Sequence, residues 1–237
     1  KKKLTGGEWG IRTHVCIYTK ANKVLGSAVT LARRTDAPLV QRDAKVTAMV
    51  AEYKAQLTSK MDVKIGTVAS RAPRGGSPAV ERSGEQAFGS WLADYVKGKY
   101  KTDLVLLNGG GIRDTFPATT YVPADTSLRR PTSSASVTGP FDVVLGDVYT
   151  VTPFGNNYAT TTITGAQLWA ALENGVSNYP TDGRFPQVGG FKFTADVTKP
   201  KGERVTAVTL TNGTPIARDS KVFTITTLDF LAYGGDG

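Results

Sequence analysis

Helical apolar spacings and short β-branched runs alternate along this 237-residue chain, and the alternation predicts an α+β protein of mixed sheets with flanking helices. Three observations carry the prediction. RDAKVTAMVAEYKAQL and SGEQAFGSWLADYV repeat apolar residues at the 3, 4 and 7 spacings of one helix face. The second of these runs into the apolar stretch Leu104 to Leu107, which ends in a glycine turn. The last third, with GGFKFTADV, RVTAVTL and KVFTITTLDF, reads almost wholly as strand. A helix feeding an apolar strand that ends in glycine is a layout in which ligands sit beyond the strand ends.

Residues 1 to 40 contain two β-like runs, Thr13 to Thr19 and Val24 to Ala32, without a self-contained apolar pattern. From Asp43, a residue suited to an N-cap, Val46, Met49, Val50, Tyr53 and Leu57 form an amphipathic helix of about four turns, read as a connector. The Pro/Gly/Ser-rich RAPRGGSPAVER is a loop. Ser83 and Gln86 have capping-box spacing ahead of a helix that presents Phe88, Trp91, Leu92 and Tyr95 on one face. Residues 117 to 140 are polar, contain four prolines and predict a long surface loop or insertion. FDVVLGDVYTV reads as a strand, PFGNN as a turn and YATTTIT as a strand. Thr164 and Gln167 then open a second capped helix, TGAQLWAALENGV. Asn212-Gly213 signals a hairpin, which also accounts for the glycosylation sequon that it begins.

Composition narrows the chemistry. The formal charge of +9 favours anionic partners, but the basic residues are scattered and only Lys1-Lys2-Lys3 forms a run, read as a solvated terminus. A single cysteine, Cys16, excludes an intrachain disulfide framework. With His14 as the one histidine, the chain cannot assemble a zinc-type cluster or a histidine-based triad. No apolar run is long enough to cross a bilayer and no cleavable leader is expected at the N-terminus.

The most informative stretch is LNGGGIRDTF. Three consecutive glycines cost conformational entropy unless the backbone turns tightly or something approaches it closely. The turn lacks the Lys-Ser/Thr pair of a P-loop, and Asp114 stands where a dinucleotide fingerprint needs its third glycine. Alone, the segment is equally a tight turn with a surface arginine. Two later glycine turns change the balance: TPFGNN carries Phe154 and Asn156, and LDFLAYGGDG carries Phe230 and Asp236. Together the three supply two flat apolar faces, amides for a base edge, a carboxylate for ribose hydroxyls, a cation at Arg113 and bare backbone at Gly110, which is an inventory for a nucleotide.

In order, LNGGGIRDTF, GDVYTVTPFGN, TITGAQLWAALENGV, GRFPQVGGFKFTAD, GERVTAV and DFLAYGGDG resemble the C-terminal substrate-binding domain of the 5'-nucleotidase family of metallophosphoesterases, over residues from about 66 to 237. The resemblance implies that Phe154 and Phe230 sandwich a base, that Asn108 and Asn156 contact it, that Asp236 holds the ribose and that Arg113 lies near the phosphate, with Arg82 as the counterpart of a second phosphate-side arginine. It implies a nucleotide-binding domain over 61–237, an interdomain helix over 41–60, and in 1–40 the tail of a preceding catalytic domain. Two divalent metal ions of zinc or manganese type would belong to that N-terminal metallophosphatase domain, where a metal-bound hydroxide attacks the phosphate; none is expected on this chain, which alone would be inactive. The expected ligand is a nucleoside monophosphate or nucleoside, in an extracellular or periplasmic setting. The alternatives are a nucleic-acid-binding module, or a relative acting on UDP-sugars or 2',3'-cyclic nucleotides. The 117 to 140 loop is longer than the family pattern.

Overall fold

A computed structural model describes residues 2–3, 9–18, 24–33, 43–74, 80–132 and 138–237, the first three stretches as strand backbone alone. The elements in chain order are β1 (Lys2–Lys3), β2 (Trp9–Tyr18), β3 (Val24–Arg33), α1 (Ala44–Met61), β4 (Lys64–Val68), α2 (Ala87–Tyr100), β5 (Leu104–Asn108), β6 (Phe141–Val144), α3 (Leu145–Val151), β7 (Tyr158–Thr164), α4 (Gly165–Val176), β8 (Pro186–Gly189), β9 (Phe191–Ala195), β10 (Val205–Leu210), β11 (Val222–Leu228) and α5 (Asp229–Ala232). This is the mixed helix-and-sheet architecture that the sequence predicts. The chain divides into two compact units, Lys1–Leu57 and Thr58–Gly237. In the first, β1, β2 and β3 form an antiparallel sheet; the side chains of Lys1 to Lys3, His14 and Cys16 lie outside the described residues, as does the middle of the RAPRGGSPAVER loop. Asp43 caps α1 as expected, its carboxylate accepting from the N–H groups of Lys45 and Val46. No described helix is long and apolar enough to cross a membrane.

The second unit is built on a four-stranded sheet in the order β7, β11, β5, β8, with β5 parallel to β11 and the other pairs antiparallel. Strand alternation sends successive residues of β5 to opposite faces. Leu104 and Leu106 join the core with Leu168, Leu172 and Val176 of α4, while Val105 and Leu107 pack with Ala93 and Val96 of α2. Both faces are covered, which is why β5 reads as an unbroken apolar run. The β9–β10 hairpin packs in the α4 core, and β4 pairs with β6.

Four details depart from the sequence reading. FDVVLGDVYTV is a strand only to Val144 and then turns into α3. The switch depends on Asp147, fully buried, which accepts from the Val144 N–H at 2.8 Å and the Ala118 N–H at 3.0 Å and is paired with Arg130. The capping box at Ser83 and Gln86 does not form. Ser83 Oγ donates to Val80 O, α2 starts at Ala87, and the Gln86 N–H is held at 3.0 Å by Oε1 of the buried Gln187 from β8. The helix is therefore rotated onto Gly89, Ala93 and Val96, leaving Trp91 and Tyr95 of the expected face exposed. Residues 117 to 132 are not a free surface loop: Ala118 is buried, Arg130 is bound to Asp147, and Tyr121 donates to Asp62 Oδ1 at 2.6 Å. Finally, β4 (KIGTV) and β8 (PQVG) interrupt their apolar residues with Lys, Gly, Thr, Pro and Gln, so neither stands out as an apolar run. The Thr164–Gln167 capping box and the Asn212-Gly213 turn form as predicted.

Candidate functional site

Because β5 and β11 are parallel neighbours, their C-terminal ends open on the same edge of the sheet. Asn108 closes β5, and β11 runs through Leu228 into α5, which carries Phe230. Phe154 arrives from the turn after α3. That turn is tied to α5: the Asp229 N–H donates to Asn157 O at 2.8 Å, and Asn157 Nδ2 donates to Asp229 Oδ2 at 3.1 Å. Hydrogen bonding from the Asn157 backbone to the Asp229 carboxylate is the main reason that carboxyl stays below its ordinary range. Asn157 and Asp229 thus fix one phenylalanine-bearing turn to the other, a pairing across 72 positions that sequence spacing does not reveal.

Between these elements lies a cleft of about 480 Å³. Seven of the eight predicted residues line it: Arg82, Asn108, Gly110, Phe154, Asn156, Phe230 and Asp236. Phe154 and Phe230 are 59% and 43% exposed, so neither ring is spent on core packing. Asn108 Nδ2 donates to Asp236 Oδ2 at 2.7 Å, and Asn108 Oδ1 is buried without a hydrogen-bond partner. Asp236 adopts φ +61° and is held in place by Asn174, whose Nδ2 donates to its carbonyl at 3.1 Å; Asn174 is in turn oriented by Arg184.

The glycine turn is shaped mainly by the protein's own backbone. Residues 109 to 111 form one 3₁₀ turn, with the Gly109 N–H donating to Phe185 O at 2.8 Å and the Gly110 N–H to Gly183 O at 2.7 Å. A Cβ at Gly109 would stand 1.8 Å from Glu81 O, and one at Gly110 would stand 2.9 Å from Gly183 Cα. The close approach that the sequence implies is therefore made first by the segments at 81 and 183 to 185.

The two arginines are placed differently. Arg82 lines the cleft and donates from Nη1 to Thr181 O at 3.2 Å. Arg113 is exposed and is not among the residues that line the cleft; its guanidinium lies 5.7 Å from the centre of the Phe154 ring and donates to Gly110 O at 3.3 Å. Sequence reasoning missed Asp182 and Gly183, which also line the cleft; Asp-Gly is a turn dipeptide, the one local signal that could have marked them. Hydrogen bonding from Asn178, with the Arg184 N–H and guanidinium, holds the Asp182 carboxyl below its ordinary range. The described residues do not fit a two-metal centre: no group of three or more His, Cys, Asp or Glu among them could hold a metal ion.

A parallel pair of strands whose ends present aromatics, amides and a carboxylate around one small cleft defines a ligand-binding domain of the mixed α/β class. The family described as "5'-nucleotidase, C-terminal domain" matches residues 64–237, and the chain belongs to it. Among relatives, the trifunctional nucleotide phosphoesterase protein YfkN of Bacillus subtilis is 31% identical over 164 residues, 66% of this chain and 10% of that protein. The NAD 5'-nucleotidase of Haemophilus influenzae is 27% identical over 225 residues, 88% of this chain and 33% of that protein. The crystal structure of a 5'-nucleotidase precursor from Thermus thermophilus superposes with a TM-score of 0.66 at 25% identity, over 98% of this chain and 42% of that one. The chain thus spans a third or less of the length of these two relatives.

Proposed function

We propose that residues 61–237 are the substrate-binding domain of a 5'-nucleotidase-type phosphohydrolase that releases phosphate from nucleoside monophosphates. The observation that carries the reading is the convergence of Phe154 and Phe230, from turns 76 residues apart in sequence, on one cleft shared with Asn108, Asn156 and Asp236. Its volume of about 480 Å³ falls within the ordinary range of small-molecule sites. The two rings stack on the base, the amides of Asn108 and Asn156 read its edge, the Asp236 carboxylate takes the ribose hydroxyls, and Arg82 and Arg113 favour the phosphate. This domain contributes binding and orientation. Segment 41–60, which contains most of α1, is the connector and 1–40 the tail of an N-terminal metallophosphatase domain, which supplies two divalent metal ions of zinc or manganese type; no step here is assigned to them. The setting is extracellular or periplasmic, as the family resemblance implies.

The rival is a module that binds RNA or DNA through its basic surface. A cleft with two aromatic faces suits one base better than a strand. Equilibrium binding of AMP, adenosine and a single-stranded oligonucleotide at low and high salt separates the two readings. The proposal requires AMP and adenosine to bind and the oligonucleotide to bind weakly or not at all. Oligonucleotide binding that falls steeply with salt, with no mononucleotide binding, would establish the rival instead. UDP-sugars and 2',3'-cyclic nucleotides enter the same titration as competing ligands.

A further inference from the structure

Beside the cleft lies a second cavity of about 520 Å³, and its walls are largely aromatic: Phe88, Trp91 and Tyr95 from α2, then Phe116, Phe154 and Tyr158. Trp91 is stacked at 6.0 Å from Tyr95 and 6.1 Å from Phe116. Trp91 and Tyr95 are 56% and 57% exposed, while the opposite face of α2 supplies the packing against the sheet, so these two rings add little to the core and much to the cavity. Contiguous apolar surface left open to water marks a place where something else binds. Where the cavity joins the cleft decides what that is. Asn108, Gly111, Phe154 and Asn156 line both hollows, which therefore meet at the two amides assigned to the base edge. Arg82 and Asp182 line the cleft and not the cavity, and no charged side chain among the described residues lines the cavity. The cavity thus opens off the base end of the cleft, away from its phosphate side, and offers a phosphate nothing to pair with.

The geometry points to a subsite for a substituent on the base: the cavity accepts an uncharged, apolar group carried on the polar edge of the base, so that the chain binds nucleosides with a bulky group on the exocyclic amine more tightly than unmodified ones. The inference rests on the nucleoside reading of the cleft. An exocyclic amine with one substituent keeps one N–H, so an amide contact at the base edge survives while the substituent enters the cavity. The aromatic walls offer stacking to a flat substituent. A walled hollow of this volume suits part of a small molecule, whereas a protein partner needs a far broader face, of roughly 800 Å² on each side.

The 237-residue chain is titrated calorimetrically with adenosine and with adenosine carrying a benzyl group on its exocyclic amine, alongside the Trp91→Ala, Tyr95→Ala and Phe230→Ala variants. The benzylated nucleoside should bind the wild-type chain about tenfold tighter than adenosine, roughly one stacking face. It should also change the emission of Trp91, read as the difference between the wild-type chain and Trp91→Ala. Trp91→Ala and Tyr95→Ala should each reduce the advantage and leave adenosine affinity unchanged, which shows at the same time that the cleft survives the substitution. Phe230→Ala should weaken both ligands. Equal or weaker binding of the benzylated nucleoside by the wild-type chain, with adenosine binding intact, overturns the subsite and leaves the cleft reading standing. An advantage that persists undiminished in both α2 variants puts the benzyl group elsewhere and overturns the subsite as well. Binding of neither ligand overturns the subsite and the cleft reading together.

Discussion

At the residue scale, the positions that matter most are those where a single side chain, or its absence, decides whether the cleft exists. Gly109 is one, because the added carbon of Gly109→Ala would meet the Glu81 carbonyl, which is backbone and cannot swing away. Gly111→Ala meets side chains alone, the Asn108 oxygen at 3.3 Å and Leu228 Cδ1 at 4.0 Å. Urea denaturation should show Gly109→Ala destabilised by about 1–3 kcal/mol or more, and Gly111→Ala by clearly less; equal losses would mean that the turn is not wedged by the 81 segment. Arg113 acts through Phe154 and through charge. Arg113→Ala should lower the ratio of AMP to adenosine affinity, and an identical ratio in the variant would take Arg113 out of its phosphate-side role. The residue types of the site were legible in the sequence because phenylalanine is an uncommon companion of the glycine and asparagine that ordinarily make turns. What the glycines accommodate was not legible, since Glu81 and Phe185 carry no local signal and Asp182-Gly183 signals a turn without saying what it approaches.

At the element scale, starts and stops set by neighbouring residues were readable, and those set by distant side chains were not. The Thr164–Gln167 box of α4 is local, and Thr164→Ala should cost about 1 kcal/mol in a urea melt. The start of α3 depends on Asp147 and Arg130, 17 residues apart, and the register of α2 on Gln187, about 100 residues beyond it. Asp147→Ala should cost about 3–5 kcal/mol, because it strands the Arg130 charge together with two N–H groups. An effect below 1 kcal/mol by the same urea measurement would mean that α3 does not need this carboxylate. Asp114 behaves similarly at the start of the 117 to 132 segment. Burial pushes its carboxyl upward, but hydrogen bonds from Thr120, Thr115 and Thr119 outweigh burial and hold it below its ordinary value of 3.8. A depressed folded value means that the stabilisation is complete above the unfolded value and is lost as pH falls through the folded one. Acid unfolding should therefore steepen below about pH 4, and Asp114→Asn should flatten that part of the profile; coincident profiles would remove Asp114 as a contributor.

At the scale of the whole molecule, the four-stranded sheet, covered on both faces, places the cleft of the second unit at the ends of two parallel strands. Its β5 and β11 ends build the cleft that the proposal assigns to a nucleoside, and the described residues include no metal-ligand cluster. On the proposal that the metal ions belong to an N-terminal domain, the chain alone is expected not to hydrolyse AMP when Mn²⁺ or Zn²⁺ is added; turnover that tracks the protein through repurification would contradict that. The central claim concerns the two rings that converge on the cleft, and isothermal titration with adenosine addresses it most directly. The account predicts binding to the wild-type chain and a loss of roughly tenfold or more in both Phe154→Ala and Phe230→Ala, at about 1–3 kcal/mol per stacked base. Unchanged affinity in the two variants would contradict it.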